Sequence, residues 1–152
     1  KLIDEAVDEV RSISHNMMPN ALISIGFESA LREQVHLIND AGQFNVHLEL
    51  PDEKLEMEES LAISLYRIVQ EILNNALKYS EAKNIWLSIQ PQEDVLNISV
   101  KDDGKGFDLT ELHQGTGIGW DNISSRIEII NGAIKIDSMP DKGTLVELKV
   151  AV

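Results

Sequence analysis

The chain contains no cysteine. This absence excludes disulfides and thiolate metal sites, and it is typical of proteins in a reducing compartment. No apolar run approaches the roughly 20 residues that a helix needs to cross a bilayer, and no secretory signal pattern is present. The sequence therefore predicts a cytoplasmic domain that is not itself a membrane segment, and it leaves open whether a longer parent protein is membrane-anchored.

Basic residues are also scarce, with 13 Lys and Arg against 26 Asp and Glu and a formal net charge of −13. A surface of this charge repels nucleic acid and anionic lipid, so we expect no nucleic-acid partner. A polyanionic ligand would have to bind locally, through backbone N–H groups, a few cations or a metal ion. The length of 152 residues and the 43% of hydrophobic residues suit one domain with its own core.

Hydrophobic spacing predicts a helix over residues 1–18, because apolar residues recur there at alternating intervals of three and four. Pro19 would end or kink this helix. Since the chain begins with Lys1 inside the predicted helix, we expect a piece of a longer protein.

The remaining pattern predicts an α/β sandwich: one mixed sheet with helices on one face. Further helices are predicted over about 24–40, 58–80 and 119–131, the last with Gly132 as its cap. Strands are predicted at 44–50, 84–90 and 95–102, and in the segments AIKID and TLVELKVAV near the C-terminus. The polar segment PQED would connect the second and third strands as a hairpin.

The first polar motif is QEILNNALKYS, within the longest predicted helix. Glu71 and Asn75 are four residues apart and project from the same side of that helix, and Lys78 follows three residues later. Alone, such a pattern is more often a solvated polar face than a site. An amide oxygen is nevertheless a suitable ligand for Mg²⁺, which prefers oxygen and retains much of its water.

The second motif, VKDDGKGFD, places Asp102 at the end of a predicted strand, followed by Gly104 and Gly106. A carboxylate fixed there can accept a hydrogen bond from an exocyclic amine, and glycines beside it let a flat ring approach the backbone. Alone, the segment is more simply explained as a tight Asp-Gly turn.

The third motif, GTGIGWDNISSR, places Gly115, Gly117 and Gly119 before a predicted helix. Glycines there expose backbone N–H groups, which form an anion site together with the helix N-terminus. No strand directly precedes them, so a Rossmann fold is not supported. An amine acceptor, a phosphate cradle and a metal-ligating amide are together what a site for ATP and Mg²⁺ needs.

The ordered motifs E-x-x-x-N, D-x-G-x-G, G-x-G-x-G and a late G-T resemble those of the GHKL ATPases. Within that superfamily, about residues 20–152 resemble the catalytic ATP-binding domain of a bacterial sensor histidine kinase. The resemblance implies a two-layer α/β sandwich of the Bergerat type with a mixed, mostly antiparallel sheet. It also implies that Asn75 ligates Mg²⁺, that Glu71 orients or activates the nucleophile side, and that Lys78 approaches the phosphates.

The same resemblance implies nucleotide-binding roles for the glycine-rich segments. Asp102 would bind the adenine amine with Gly104 and Gly106 beside the nucleotide, and Thr144 of the segment KGT would lie near the adenine. The phosphates would be surrounded by Gly115, Gly117 and Gly119. The implied activity is transfer of the ATP γ-phosphoryl group to a histidine upstream of this fragment, for onward transfer to a response-regulator aspartate.

Only ten residues separate Gly106 from Gly117, which predicts a short lid over 107–116 that is mobile without nucleotide. A lid of this length resembles that of the kinase subfamily that partners LuxR-type response regulators.

The segment DEVRSISHNMMPNALISIGFESALREQV also resembles that subfamily's junction between the dimerisation hairpin and the catalytic domain. The predicted domains are therefore 1–18, the end of the second hairpin helix, and 19–152, the catalytic ATP-binding domain. In the parent protein, a homodimer, the partners would be its own hairpin and a response regulator.

Two other functions stay open on the same fold, an anti-sigma-type serine kinase and a non-catalytic module that binds a regulator. The heptad pattern and the junction favour the histidine kinase over the serine kinase. The presence of Glu71, Asn75 and Asp102 favours catalysis over a degenerate module.

His15 is not expected to be the phosphoacceptor. The first predicted strand begins only 29 positions after it, Pro19 interrupts the segment between them, and no room remains for the return helix of a hairpin. Asn16 also stands where an acidic neighbour would take the imidazole proton. We expect His15 to close the dimerisation helix, with Met17, Met18 and Pro19 forming a hinge.

Overall fold

The computed structural model describes residues 26–110 and 120–152. The predicted helix over 1–18, His15, the hinge and the predicted phosphate-binding glycines Gly115, Gly117 and Gly119 lie outside the described residues, as does most of the predicted lid. The described elements are α1 (Phe27–Asp40), β1 (Asn45–Glu49), α2 (Glu59–Tyr79), β2 (Asn84–Gln92), β3 (Val95–Asp102), α3 (Trp120–Ile129), β4 (Ala133–Ser138) and β5 (Thr144–Ala151).

The five strands form one sheet in the order β1-β2-β3-β5-β4. β1 pairs with β2 in parallel, and the other three pairings are antiparallel. The predicted α/β class, the mixed and mostly antiparallel sheet, and the order of the elements from α1 onward are confirmed.

The two faces of the sheet have opposite character because side chains alternate along each strand. In β2, Ile85, Leu87 and Ile89 are fully buried, whereas Trp86 between them is exposed. The buried face forms a single core with the apolar sides of all three helices, including Leu65 of α2. This arrangement confirms the predicted two-layer sandwich with the helices on one face.

The hairpin between β2 and β3 differs from its prediction. β2 continues through Pro91, which pairs with Leu96, and only Glu93 and Asp94 form the turn. The prediction of a four-residue PQED loop was therefore wrong. Glu93 adopts a left-handed conformation with φ of 55°, and this allows a two-residue turn to close the hairpin.

Two further local predictions are corrected at helix ends. α3 ends at Ile129, and the left-handed residue beyond it is Asn131 with φ of 54°, not Gly132. The Gly132 N–H donates to the Ile127 carbonyl at 2.9 Å, which closes the helix end. The apolar spacing of the helix predicted over 58–80 also places Tyr79 on its core-facing stripe, but Tyr79 is 40% exposed. None of the helices in the described part of the chain is long and apolar enough to cross a membrane.

Candidate functional site

A cavity of about 230 Å³ lies between the second half of α2, the paired ends of β3 and β5, and the first residue of α3. Four residues predicted for the site line it: Asn75, Asp102, Gly106 and Thr144. The other lining residues are Ile72, Ala76, Tyr79, Ser80, Val100, Lys105, Phe107, Trp120 and Val146. The structure thus brings together predicted site residues from the E-x-x-x-N, D-x-G-x-G and late G-T motifs.

Strand alternation places Asp102 at the cavity. Leu96, Ile98, Val100 and Asp102 share the buried face of β3, so the carboxylate occupies the last position of an otherwise apolar row. Asp102 is 6% exposed. An acidic residue at a core-facing position disfavours folding unless its polar atoms are paired, and this cost makes Asp102 a candidate for a functional residue.

Burial raises the pKa of the Asp102 carboxyl above its ordinary value of 3.8. Hydrogen bonds from the backbone of Gly104 and Thr144 act in the opposite direction, and the negative charge of Asp103 raises the pKa slightly further. The Gly104 N–H donates to Oδ1 of Asp102 at 2.9 Å. A carboxylate offers about four acceptor positions, so capacity remains for an amine donor that enters the cavity.

Ser138, which sequence reasoning missed, anchors the chain around Thr144. Its Oγ accepts a hydrogen bond from the Phe107 N–H at 2.9 Å and lies 3.1 Å from the Gly143 carbonyl oxygen and 2.8 Å from the Thr144 hydroxyl. With the Ser138 proton directed to Gly143, the Thr144 hydroxyl donates to Ser138. The network ties the segment after β3 to the turn between β4 and β5.

The glycines around Asp102 permit close approach of the chain to itself. A Cβ on Gly104 would overlap the carbonyl oxygen of Ser80, and one on Gly106 would overlap that of Met139. A Cβ on Gly143 would likewise overlap the carbonyl oxygen of Asp102. Close packing of the chain is thus a second reason why these positions are glycine, in addition to the predicted approach of a flat ring. Gly104 itself lies outside the cavity lining.

Ser80 is another residue that the sequence did not reveal. Its Oγ donates to the Ala76 carbonyl at 2.5 Å and accepts from the Ala82 N–H at 3.1 Å, where α2 ends. Its backbone carbonyl accepts from the Lys105 N–H at 2.7 Å. The end of α2 is thereby fastened to the loop that follows Asp102.

Asn75 lines the cavity, and its Nδ2 is buried without a hydrogen-bond partner in the described part of the chain. Rotation of the amide exchanges its oxygen and nitrogen, so either atom can face a ligand. Within residues 26–110 and 120–152, no three His, Asp or Glu side chains cluster as metal ligands. One amide oxygen, completed by phosphate oxygens and water, fits Mg²⁺, which is seldom held by an all-protein cage.

Glu71 and Lys78 share α2 with Asn75 but lie outside the cavity lining. The Lys78 ammonium lies 5.5 Å from the centroid of the Tyr79 ring, which does line the cavity. The helix therefore contributes Asn75 and Tyr79 to the cavity lining and leaves the two charged side chains outside it.

Three aromatic residues in the lining, Tyr79, Phe107 and Trp120, were not predicted as site residues. Each lies inside one of the three quoted segments, directly next to a residue predicted for the site, and this position is the signal that could have identified them. Flat apolar side chains around a carboxylate and an amide suit a ligand with a ring at one end and polar groups at the other.

A protein-family model described as "Histidine kinase-, DNA gyrase B-, and HSP90-like ATPase" matches residues 60–152. The oxygen sensor histidine kinase NreB of Staphylococcus carnosus (strain TM300) is 31% identical over 153 residues, covering 99% of this chain and 44% of the relative. The signal transduction histidine-protein kinase/phosphatase DegS of Brevibacillus brevis is 27% identical over 152 residues, covering 100% and 39%. The chain thus spans less than half the length of either relative.

Solved structures share the fold at low identity. The histidine kinase domain of the Erythrobacter litoralis EL346 blue-light activated histidine kinase has a TM-score of 0.77 at 15% identity, covering 95% of this chain and 74% of that one. The Acinetobacter baumannii histidine kinase AdeS has a TM-score of 0.63 at 15% identity, covering 95% and 75%. These likenesses concern the architecture of the sandwich.

Proposed function

Because the chain belongs to the family of histidine kinase-, DNA gyrase B- and HSP90-like ATPases, we propose that it is the catalytic domain of a sensor histidine kinase. It binds Mg-ATP and donates the γ-phosphoryl group to a histidine upstream of this segment. The observation that carries the proposal is Asp102, a carboxylate 6% exposed that lines the cavity at the end of an apolar strand face.

In this proposal the base of the nucleotide lies against the paired ends of β3 and β5. Asp102 accepts a hydrogen bond from the exocyclic amine of adenine, and Thr144 lies beside it. Val100 and Val146, neighbours of these two along the strands, supply apolar surface for the ring. Gly104 and Gly106 hold the adjoining loop, and Gly115, Gly117 and Gly119 surround the phosphates.

The phosphate end is proposed to lie toward α2. Asn75 holds Mg²⁺, whose charge offsets that of the phosphates on a protein with a net charge of −13. Glu71 orients or activates the nucleophile side, and Lys78 approaches the phosphates from the margin of the cavity. Phosphoryl transfer depends mainly on positioning and charge neutralisation, which these groups can provide.

The proposal extends to the rest of the molecule. Residues 1–18 end the second helix of a dimerisation hairpin, and residues 19–152 form the catalytic domain. The parent protein acts as a homodimer in the cytoplasm, and the phosphoryl group passes to the aspartate of a response regulator of the LuxR type.

Incubation of the full-length parent protein with γ-labelled ATP and Mg²⁺ tests this function. We expect acid-labile, alkali-stable phosphate on a histidine upstream of this segment and none on His15. Asn75→Ala should eliminate the label, whereas Asn97→Ala, on the opposite face of the sheet, should not. Labelled serine would instead support the anti-sigma-type kinase, and nucleotide binding without any transfer would support the non-catalytic module.

A further inference from the structure

Trp120 carries a hydrogen-bond donor that no described residue accepts. The residue begins α3 and lines the cavity, and its Nε1 is buried without a hydrogen-bond partner in residues 26–110 and 120–152. Buried indole N–H groups usually find an acceptor, because an unpaired one has lost its water without compensation. The missing acceptor is therefore expected to come from a molecule that occupies the cavity.

Position distinguishes Trp120 from the other unpartnered polar side chains among the described residues. Gln34 and Gln70 also carry buried polar atoms without partners, but neither lines the cavity. Asn75 shares both properties with Trp120. Two residues on the helical side of the cavity lining thus carry a buried donor without a partner among the described residues.

The polar groups of the cavity divide by chemistry. Asp102, on the sheet, is an acceptor and suits the amine of a base. The indole N–H can only donate, so it needs an acceptor, which in a nucleotide is a ring nitrogen of the base or an oxygen of the sugar or phosphates. Trp120 shares the helical side of the cavity lining with Asn75, where the proposed function places the phosphates, and this position favours an oxygen.

We propose that the Trp120 indole N–H donates a hydrogen bond to a sugar or phosphate oxygen of the bound nucleotide. This assignment rests on the proposed function, because it requires a nucleotide in this cavity. It makes Trp120 a binding residue for the sugar-phosphate half of the ligand, complementary to Asp102 at the base.

The test removes the donor and keeps an aromatic ring, with Trp120→Phe. Adenine, adenosine, AMP and ADP are each titrated by displacement of a fluorescent ATP analogue from wild type and variant. We expect roughly a five- to thirty-fold loss of affinity beginning with the first ligand that carries the acceptor. A loss that begins with adenosine places the acceptor on the sugar, and one that begins with AMP or ADP places it on a phosphate.

Trp86→Phe is the matched control. Trp86 is the other tryptophan of the chain, lies 40% exposed on the sheet face opposite the described helices, and stacks on His47 with ring centroids 5.5 Å apart. The Trp86→Phe variant should bind all four ligands as wild type does. It also leaves Trp120 as the single indole, whose fluorescence should change with the same ligands that are sensitive to Trp120→Phe.

A Trp120→Phe variant that folds and binds all four ligands with unchanged affinity would overturn the inference. An equal loss for adenine and ADP would also overturn it, because both a packing role and a hydrogen bond to a ring nitrogen of the base act without regard to the sugar and phosphates. In either case normal binding by wild type and Trp86→Phe keeps the proposed function intact. If wild type binds no ligand, the proposed function fails first.

Discussion

Asp102 and Thr144 face each other across β3 and β5, in the last paired row of the buried sheet face. Thr144 is fixed in turn by Ser138, whose Oγ lies 2.8 Å from its hydroxyl. The proposed base-binding end of the site is therefore built on strand pairing, which positions side chains more rigidly than a loop does.

Asp102→Ala should weaken binding of ADP by about 1–3 kcal/mol, because the exocyclic amine would be buried without its acceptor. Isothermal titration calorimetry measures the loss directly. Asp137→Ala is a suitable control, since Asp137 is an exposed carboxylate on β4 that lies 3.8 Å from the Lys135 ammonium. Equal affinity of wild type and Asp102→Ala would remove Asp102 from the adenine site.

The raised pKa of Asp102 predicts a pH dependence of stability. Between the ordinary pKa of 3.8 and the raised value, the native state binds more protons than the unfolded state at this residue. The contribution of Asp102 to the free energy of unfolding therefore falls as pH rises through this interval, and its burial penalty is fully present at neutral pH.

Asp102→Asn removes this titration and keeps an oxygen acceptor for the Gly104 N–H. Lowering the pH from neutral toward about pH 4 should therefore raise the free energy of unfolding of wild type relative to that of the variant. Urea unfolding of both proteins across this range measures the difference and cancels the common effect of other carboxylates. A stability difference that does not change with pH would contradict the raised pKa.

Gly106→Ala should destabilise the protein by about 2–4 kcal/mol, because a Cβ at φ of +62° would overlap the Met139 carbonyl oxygen. Gly42→Ala is the matched control, since Gly42 has a φ of +78° with nothing within 4 Å of an added Cβ. Only the conformational cost remains there, about 1 kcal/mol. Similar unfolding midpoints for the two variants would show that the loop after Asp102 adapts.

Asn75→Ala should reduce the part of ADP affinity that depends on Mg²⁺, because it removes the proposed metal ligand. It should leave the fold intact, because the Asn75 Nδ2 has no hydrogen-bond partner among the described residues. Calorimetric titrations with Mg²⁺ and with a chelator separate the two contributions. Asn97→Ala serves again as the control. If the variant gains as much affinity from Mg²⁺ as wild type does, Asn75 is not a metal ligand.

Ser138→Ala should cost about 1–3 kcal/mol of stability, because the Phe107 N–H and the Thr144 hydroxyl both lose their buried partner. Hydrogen exchange at the Phe107 amide should accelerate more than exchange in β2. Ser99→Ala, on the outer face of β3, should change neither quantity. Unchanged protection at Phe107 would mean that the network does not hold this segment.

The elements of the fold and several site residues were determined by local pattern in the sequence. Alternation along β3 places Asp102 in phase with Ile98 and Val100, and a spacing of four places Glu71 and Asn75 on one side of α2. Such periodicities follow from backbone geometry within a single element. They predicted the sheet, the helices and the carboxylate at the end of β3.

Contacts between distant parts of the chain were decided by tertiary packing. Whether Asn75 or Glu71 lines the cavity depends on how α2 is rotated against the sheet. The close approach of Gly104 to Ser80 and of Gly106 to Met139 joins segments separated by 24 and 33 residues. The unpaired indole of Trp120 likewise depends on where the start of α3 meets the cavity. No local periodicity encodes these distances, because the packing of several elements at once sets them.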